Sequence, residues 1–326
     1  MATSPSSTPR GPHRLILGEM LAQPGICKHH PLLGTRRIAR EADGQSVWET
    51  EFLSDDIAYL TDHRVHDLPI TPAAAFVEMA VSALAELGRT GPYLLNDVAF
   101  EQGMFLKKRV NRQVRTVLSQ EQAGVFHFQV FSRAADDKGT WIRHAVARVQ
   151  PGAHLNDAFA DSFEEVYRRR GVEIPHRECY SRLDESGLQT GTWFRPISRL
   201  WRQTGEALGE IRLARELAAG NARYCIHPAV LNGCFQVLAA GRLLNEINAR
   251  SCYIPIGASS IWLRPEIGTQ LWCRATAAIA RNGTDQRILG NFWMWDPCKA
   301  LVGTITGLQL RRFIRLPLPT AEPKSS

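Results

Sequence analysis

Asp62-His63-Arg64-Val65-His66-Asp67-Leu68-Pro69-Ile70-Thr71-Pro72-Ala73-Ala74-Ala75-Phe76-Val77-Glu78-Met79-Ala80 is the stretch from which the chain is best read. From Pro72 to Leu87, apolar residues recur at Phe76, Val77, Ala80, Ala83, Leu84 and Leu87, with Glu78 and Glu86 on other faces. That spacing predicts a helix. Thr71 is placed to cap it, and Pro72 sits where a first-turn proline is tolerated. A second run, Pro228 to Leu244, repeats the pattern with Val230, Leu231, Cys234, Phe235, Leu238 and Leu243. It too opens on a proline, with His227 just before it. Between the helices lie strand-like segments: Gln113–Leu118, Val125–Arg133, Thr140–Val149, Ala207–Leu213, Gln270–Ile279, Gln286–Met294 and Ala300–Arg311. Phe126, Phe128 and Val130 alternate with His127, Gln129 and Phe131, which puts His127 on the surface face of its strand. The fold class is α+β: a duplicated unit, each copy a curved antiparallel sheet wrapped on one central helix.

The expected organisation is a lead-in over 1–28, with a short helix around Leu15 to Leu21, and then a first unit over 29–150. A linker over 151–175 holds a charged helical patch at Glu164 to Arg170. A second unit covers 176–315, and a Pro/Ser/Lys-rich tail over 316–326 is expected to be disordered. Of 326 residues, 44% are hydrophobic and 22% charged, and the net charge is +7. The basic balance suits an anionic partner, but no long run of like charges marks a nucleic-acid arm. The seven cysteines contain no C-x-x-C pair, which argues against a zinc or redox motif and fits a reducing compartment. The N-terminus lacks the apolar core of a signal peptide. The longest apolar stretch, Ala73 to Leu87, falls short of the roughly 18 residues of a membrane span. A soluble, cytoplasmic protein is expected, with neither nucleic acid nor membrane as partner.

The residues at the two helix starts carry a more specific signal. His63 to Ala80 resembles the first motif of polyketide synthase dehydratase domains, H-x-x-x-G-x-x-x-x-P followed by a helix with E-M-A. His227-Pro228-Ala229-Val230-Leu231-Asn232-Gly233-Cys234-Phe235-Gln236 resembles the second, H-P-x-x-L-D-x-x-x-Q. His30-Pro31-Leu32-Leu33-Gly34 is similar to the family's opening segment and Tyr253-Ile254-Pro255-Ile256 to a later strand. The resemblance runs from about His30 to Arg311. It implies a double hotdog, with a substrate tunnel between the two helices. It also implies a β-hydroxyacyl thioester substrate on the phosphopantetheine arm of an acyl carrier protein, with no other cofactor and no metal. Neighbouring synthase domains and a homodimer are the further partners it implies.

Departures from the family pattern decide the chemistry to be expected. Dehydration needs a base at Cα and an acid for the leaving hydroxyl. His63 matches the base. The acid's position holds Asn232, whose carboxamide donates hydrogen bonds but surrenders no proton. The remaining groups suit reactions with one mobile proton. The first is an intramolecular oxa-Michael cyclisation of pyran synthase type. The second is a double-bond shift of enoyl isomerase type. Dehydration through an acid relocated to His227 or His66, and an inactive structural domain, are the other readings. Asp67 replaces the motif glycine and, as Asp, tolerates a left-handed bend. Gly187-Leu188-Gln189-Thr190-Gly191-Thr192-Trp193-Phe194-Arg195 occupies the place of G-x-x-Y-G-P-x-F-Q, so Thr190 stands for the tyrosine, while Gly187, Gly191 and Phe194 match. Asp67, Pro72, Thr190, Gly191, Phe194, His227 and Gln236 are the expected substrate-binding residues around the catalytic pair His63 and Asn232. Gln236, one turn beyond Asn232, is expected to bond it. His66, without motif support, is expected to face solvent.

Overall fold

In the second half of the chain, Pro228–Gly241 is a helix with almost every side chain buried. In the first half, Ala73–Glu86 is its counterpart. Helices apolar on all sides must be wrapped on all sides, and here long antiparallel strands do the wrapping. The computed structural model describes residues 30–37, 45–52, 55–106, 111–135, 139–152, 161–241, 251–282 and 285–313. The lead-in helix around Leu15, the tail 316–326 and the continuation of the second helix through Leu243 lie outside these residues.

The first half runs β1 (Thr35–Arg37), β2 (Gln45–Glu51), β3 (His63–Val65), β4 (Leu68–Pro69), α1 (Ala73–Glu86), β5 (Tyr93–Phe100), β6 (Arg112–Gln122), β7 (Val125–Ala134) and β8 (Ile142–Pro151). The second runs α2 (Phe163–Arg168), β9 (Val172–Ile174), α3 (His176–Ser186), β10 (Leu188–Thr190), β11 (Ile197–Gln203), β12 (Glu206–Arg212), α4 (Arg215–Ala218), α5 (Pro228–Gly241), β13 (Tyr253–Leu263), β14 (Gln270–Asn282), β15 (Asp285–Trp295) and β16 (Leu301–Arg312). The expected strands are all present. The two sheets are one: thirteen strands in the order β1-β2-β6-β7-β8-β5-β13-β16-β15-β14-β12-β11-β9. The halves join where β5 pairs antiparallel with β13, from Tyr93 opposite Leu263 to Ala99 opposite Gly257. The two central helices pack on one another.

The segment read as a connector contributes structure to the second half. Its β9 pairs with β11 as the sheet's last strand. Its α2 is opened by a capping box, in which the Glu165 amide donates to Ser162 Oγ and the Ser162 amide donates to Glu165 Oε2. Phe163 and Val166 of α2 cover Trp201, Leu208 and Trp295, a small second core.

Two expectations about α1 are corrected. Pro72 is itself the N-cap, in extended conformation, and no side chain caps the helix. Thr71 spends its amide on the Met104 carbonyl and its hydroxyl has no partner. Glu78 does not lie on an outward face: it is 0% exposed.

Candidate active site

His63 begins β3, and the short hairpin that follows fixes its chemistry. Arg64 pairs with Pro69 and Val65 with Leu68, leaving His66 and Asp67 as a two-residue loop. Their φ angles are 46° and 64°. Type I′ hairpin turns need positive φ at both central residues, and Asp and His are among the side chains that adopt it. Asp67 thus keeps the bend expected of the motif glycine, with its side chain exposed. The reversal brings Ile70 back onto His63: the Ile70 amide donates to the His63 carbonyl at 3.0 Å, and His63 Nδ1 lies 2.9 Å from the Ile70 carbonyl. A carbonyl only accepts, so Nδ1 carries the hydrogen and Nε2 keeps its lone pair. The ring is 7% exposed. Burial pushes its pKa down to about 4, against the opposing effect of the Ile70 bond. His63 is therefore a neutral base near neutral pH.

Strand β10 lies against β3 with Thr190 directly opposite His63, Gln189 opposite Arg64 and Leu188 opposite Val65. Gln189 Oε1 accepts the Asp67 amide, and the Gly187 carbonyl accepts the His66 amide. Gly187 closes α3 at φ 91°, and a Cβ there would collide with the His66 ring. Contrary to expectation, His66 is half-buried, packed on this glycine and stacked on Phe313. Gly191 donates to the Asp62 carbonyl, and a side chain at 191 would overlap the Asp62 carboxylate. That carboxylate accepts the Trp193 amide. These bonds turn Phe194 inward. It is fully buried, 5.5 Å from His63 and stacked on Tyr59 at 5.9 Å.

From the other half, α5 presents Asn232 and Gln236 one turn apart on one face. Gln236 Nε2 donates to the Phe194 carbonyl at 2.9 Å, so it does not bond Asn232 as expected. Phe194 thus touches His63 through its ring and Gln236 of α5 through its carbonyl. Asn232 is 5% exposed. Buried here without hydrogen-bond partners are Asn232 Nδ2, Gln236 Oε1, Thr190 Oγ1 and Thr71 Oγ1. Unpaired buried polar atoms are costly in native folds, and these four lie in the segments around His63 and in α5.

His227 is structural in its visible bonds. Its Nδ1 accepts the Ala229 amide at 3.2 Å, capping α5. Its ring packs against Tyr59 and Tyr224. Burial, with Arg223 nearby, lowers its pKa to about 3.

Sequence reasoning missed Glu78 and Tyr59. Glu78 accepts from His30 Nε2 at 3.0 Å, Ser82 Oγ at 2.7 Å, the Cys225 amide at 2.9 Å and the Ile226 amide at 2.8 Å. His30 Nδ1 accepts the Leu32 amide, which leaves Nε2 as the donor. This clamp ties the His30 segment and α1 to the strand of chain leading into α5. An acid amid an unbroken apolar run was the available signal. Tyr59 walls the site between Phe194 and His227, and nothing in its local sequence announced that. Among the described residues, no group of three or more His, Cys, Asp or Glu is placed to hold a metal ion. Also among them, no helix is long and apolar enough to cross a membrane.

Two family models match: polyketide synthase dehydratase domain over residues 30–133 and polyketide synthase dehydratase N-terminal domain over residues 160–320. The chain belongs to the polyketide synthase dehydratase family, and its fold is the double hotdog. A phenolphthiocerol/phthiocerol polyketide synthase of Mycobacterium tuberculosis is 28% identical over 325 residues, 96% of this chain and 17% of that protein. A highly reducing polyketide synthase of Pyrenophora dematioidea is 29% identical over 255 residues, 73% of this chain and 10% of that protein. The chain thus spans less than a fifth of these relatives. Among solved structures, an inactive Asp-to-Asn variant of the CurK dehydratase superposes with TM-score 0.77 at 25% identity, covering 88% of this chain and 100% of that one. The dehydratase domain of the CurJ module of curacin polyketide synthase shares the fold at TM-score 0.79 and 21% identity, covering 88% of this chain and 98% of that one.

Proposed function

We propose that the chain works within a polyketide synthase on an acyl thioester carried by an acyl carrier protein, and that it closes an oxygen heterocycle rather than removing water. What supports this reading is the state of the two motif residues: His63 is a tautomer-locked base, and Asn232 on α5 is buried with its Nδ2 unpartnered, where the resemblance puts a carboxylic acid. Glu78, the only fully buried carboxyl group among the described residues, has its oxygens taken by four donors. The CurK variant, described as inactive, carries the same kind of exchange, Asp to Asn; here Asn is the chain's own residue. Neighbouring synthase domains and a second copy of the chain are the expected companions.

In the proposed reaction a distal hydroxyl of a 2-enoyl thioester gives its proton to His63 Nε2 while its oxygen bonds to Cβ. The π electrons of the double bond move to the thioester as an enolate, and the His63 imidazolium returns the proton to Cα. Atoms and charge balance, and no leaving group needs an acid. Because burial weakens His63 as a base, proton transfer and C–O bond formation run together. Asn232 Nδ2 is a neutral donor for the thioester oxygen as charge grows there. Alignment of the two ends of one chain contributes much of the acceleration.

The test uses three pantetheine thioesters: a 2-enoyl chain with a distal hydroxyl, a plain 2-enoyl chain and a 3-hydroxyacyl chain. Ring formation from the first, lost in His63→Ala, is the expected result. Water loss from the third, a migrated double bond in the second without ring formation, or inertness toward all three would each overturn the cyclase reading.

A further inference from the structure

Thr190 carries an oxygen that the scaffold itself does not use. Residues directly opposite in an antiparallel pair project to the same face, with Cβ atoms about 5 Å apart. Thr190 is directly opposite His63, so its side chain stands beside the imidazole. It is 3% exposed, its carbonyl is taken by Arg195 Nε at 2.8 Å, and its hydroxyl has no partner. A buried hydroxyl without a partner destabilises the fold, and valine would fill the same space without that cost. The scaffold therefore gains nothing from this oxygen, while a ligand at the base would.

We propose that Thr190 is the specificity-determining residue for the nucleophile: its hydroxyl donates to the oxygen of the substrate hydroxyl whose proton points at His63 Nε2. The inference rests on the cyclase reading and names its substrate class, acyl thioesters with a hydroxyl that folds back onto the reacting carbons. Asn232, on α5, takes the thioester end. A plain enoyl chain has nothing to offer Thr190 and leaves it unpaired, so the site discriminates against such chains. The substrate hydroxyl then sits between a donor and a base, with its lone pair free for Cβ.

The experiment measures binding as well as turnover. Saturated pantetheine thioesters with and without the distal hydroxyl cannot react, so their dissociation constants read recognition alone. The wild-type chain should bind the hydroxylated compound about five- to tenfold more tightly, the worth of one neutral hydrogen bond. Thr190→Val should erase that preference and Thr190→Ser should keep it. Thr190→Val should also melt at the same or a higher temperature, whereas a scaffold role would lower it. Equal or absent binding of the two compounds by the wild-type chain, or a preference that survives in Thr190→Val, overturns the proposal. A chain that shows the preference but forms no ring refutes the cyclase reading and leaves the recognition by Thr190 standing.

Discussion

The Ile70 carbonyl, 2.9 Å from His63 Nδ1, settles which nitrogen of the ring keeps its lone pair, and burial keeps that nitrogen unprotonated near neutral pH. With the pKa near 4, the acid limb of a kcat/KM profile should fall around pH 4 rather than near the ordinary 6.5. Activity should be flat through neutrality, as measured by turnover of the hydroxy-enoyl thioester between about pH 3.5 and 8. A limb near 6.5 would mean that the base is not this ring. Asn232→Asp places a carboxyl where Nδ2 now lies buried and unpartnered. Burial favours its protonated form, so the variant should gain measurable water loss from a 3-hydroxyacyl thioester. That gain is read by enoyl absorbance, and its absence would show that the acid is not the only missing part. At this scale His63 and Asn232 were singled out by the resemblance of their surroundings to the two family motifs. The bonds were not legible. Gln236 sits at the right offset to reach Asn232 yet spends its Nε2 on the Phe194 carbonyl, which is 42 residues away.

Among the elements, the β3–β4 hairpin shows how a rule survives a changed letter. The turn needs positive φ at His66 and Asp67, and Asp meets that need where the family motif has glycine. Asp67→Gly should therefore be close to neutral in stability. Asp67→Val should cost about 1–2 kcal/mol in urea unfolding and should lower kcat as Ile70 shifts from His63. At α2, Ser162→Ala should cost about 1 kcal/mol in the same measurement, through loss of the capping box. Long alternating strands such as β7 were readable from their period. The joining strands were harder. Tyr93–Phe100 mixes buried and half-buried residues without strict alternation, and Pro255 interrupts β13 where its register with β16 shifts. Helix α3 buries only Cys179, Tyr180 and Leu183 among mostly charged neighbours, too narrow a stripe to stand out.

Across the whole molecule, stability and pH are linked through histidines buried in neutral form. His63 and His227 have folded-state pKa values lowered to about 4 and about 3, while the unfolded chain binds protons near 6.5. The unfolded state thus takes up more protons between these limits, and stability should fall as pH drops from about 6.5 toward 4. A melting temperature that held steady across that window would contradict the burial of both rings. Glu78→Gln removes an acceptor facing four donors and sets an amide hydrogen against one of them. It should cost about 3 kcal/mol and depress turnover, because the clamp holds the approach to α5. The duplicated pattern determined the α+β class and the two central helices, since periodicity is a property of the chain itself, and the resemblance of its two motifs pointed to His63 and Asn232. Only the tertiary structure decided that the two sheets merge through β5 and β13, that Glu78 is buried at the centre, and that Thr190 stands unpaired beside His63. Those facts depend on which distant segments meet, and the free energy of such meetings is spread over residues that no local pattern joins.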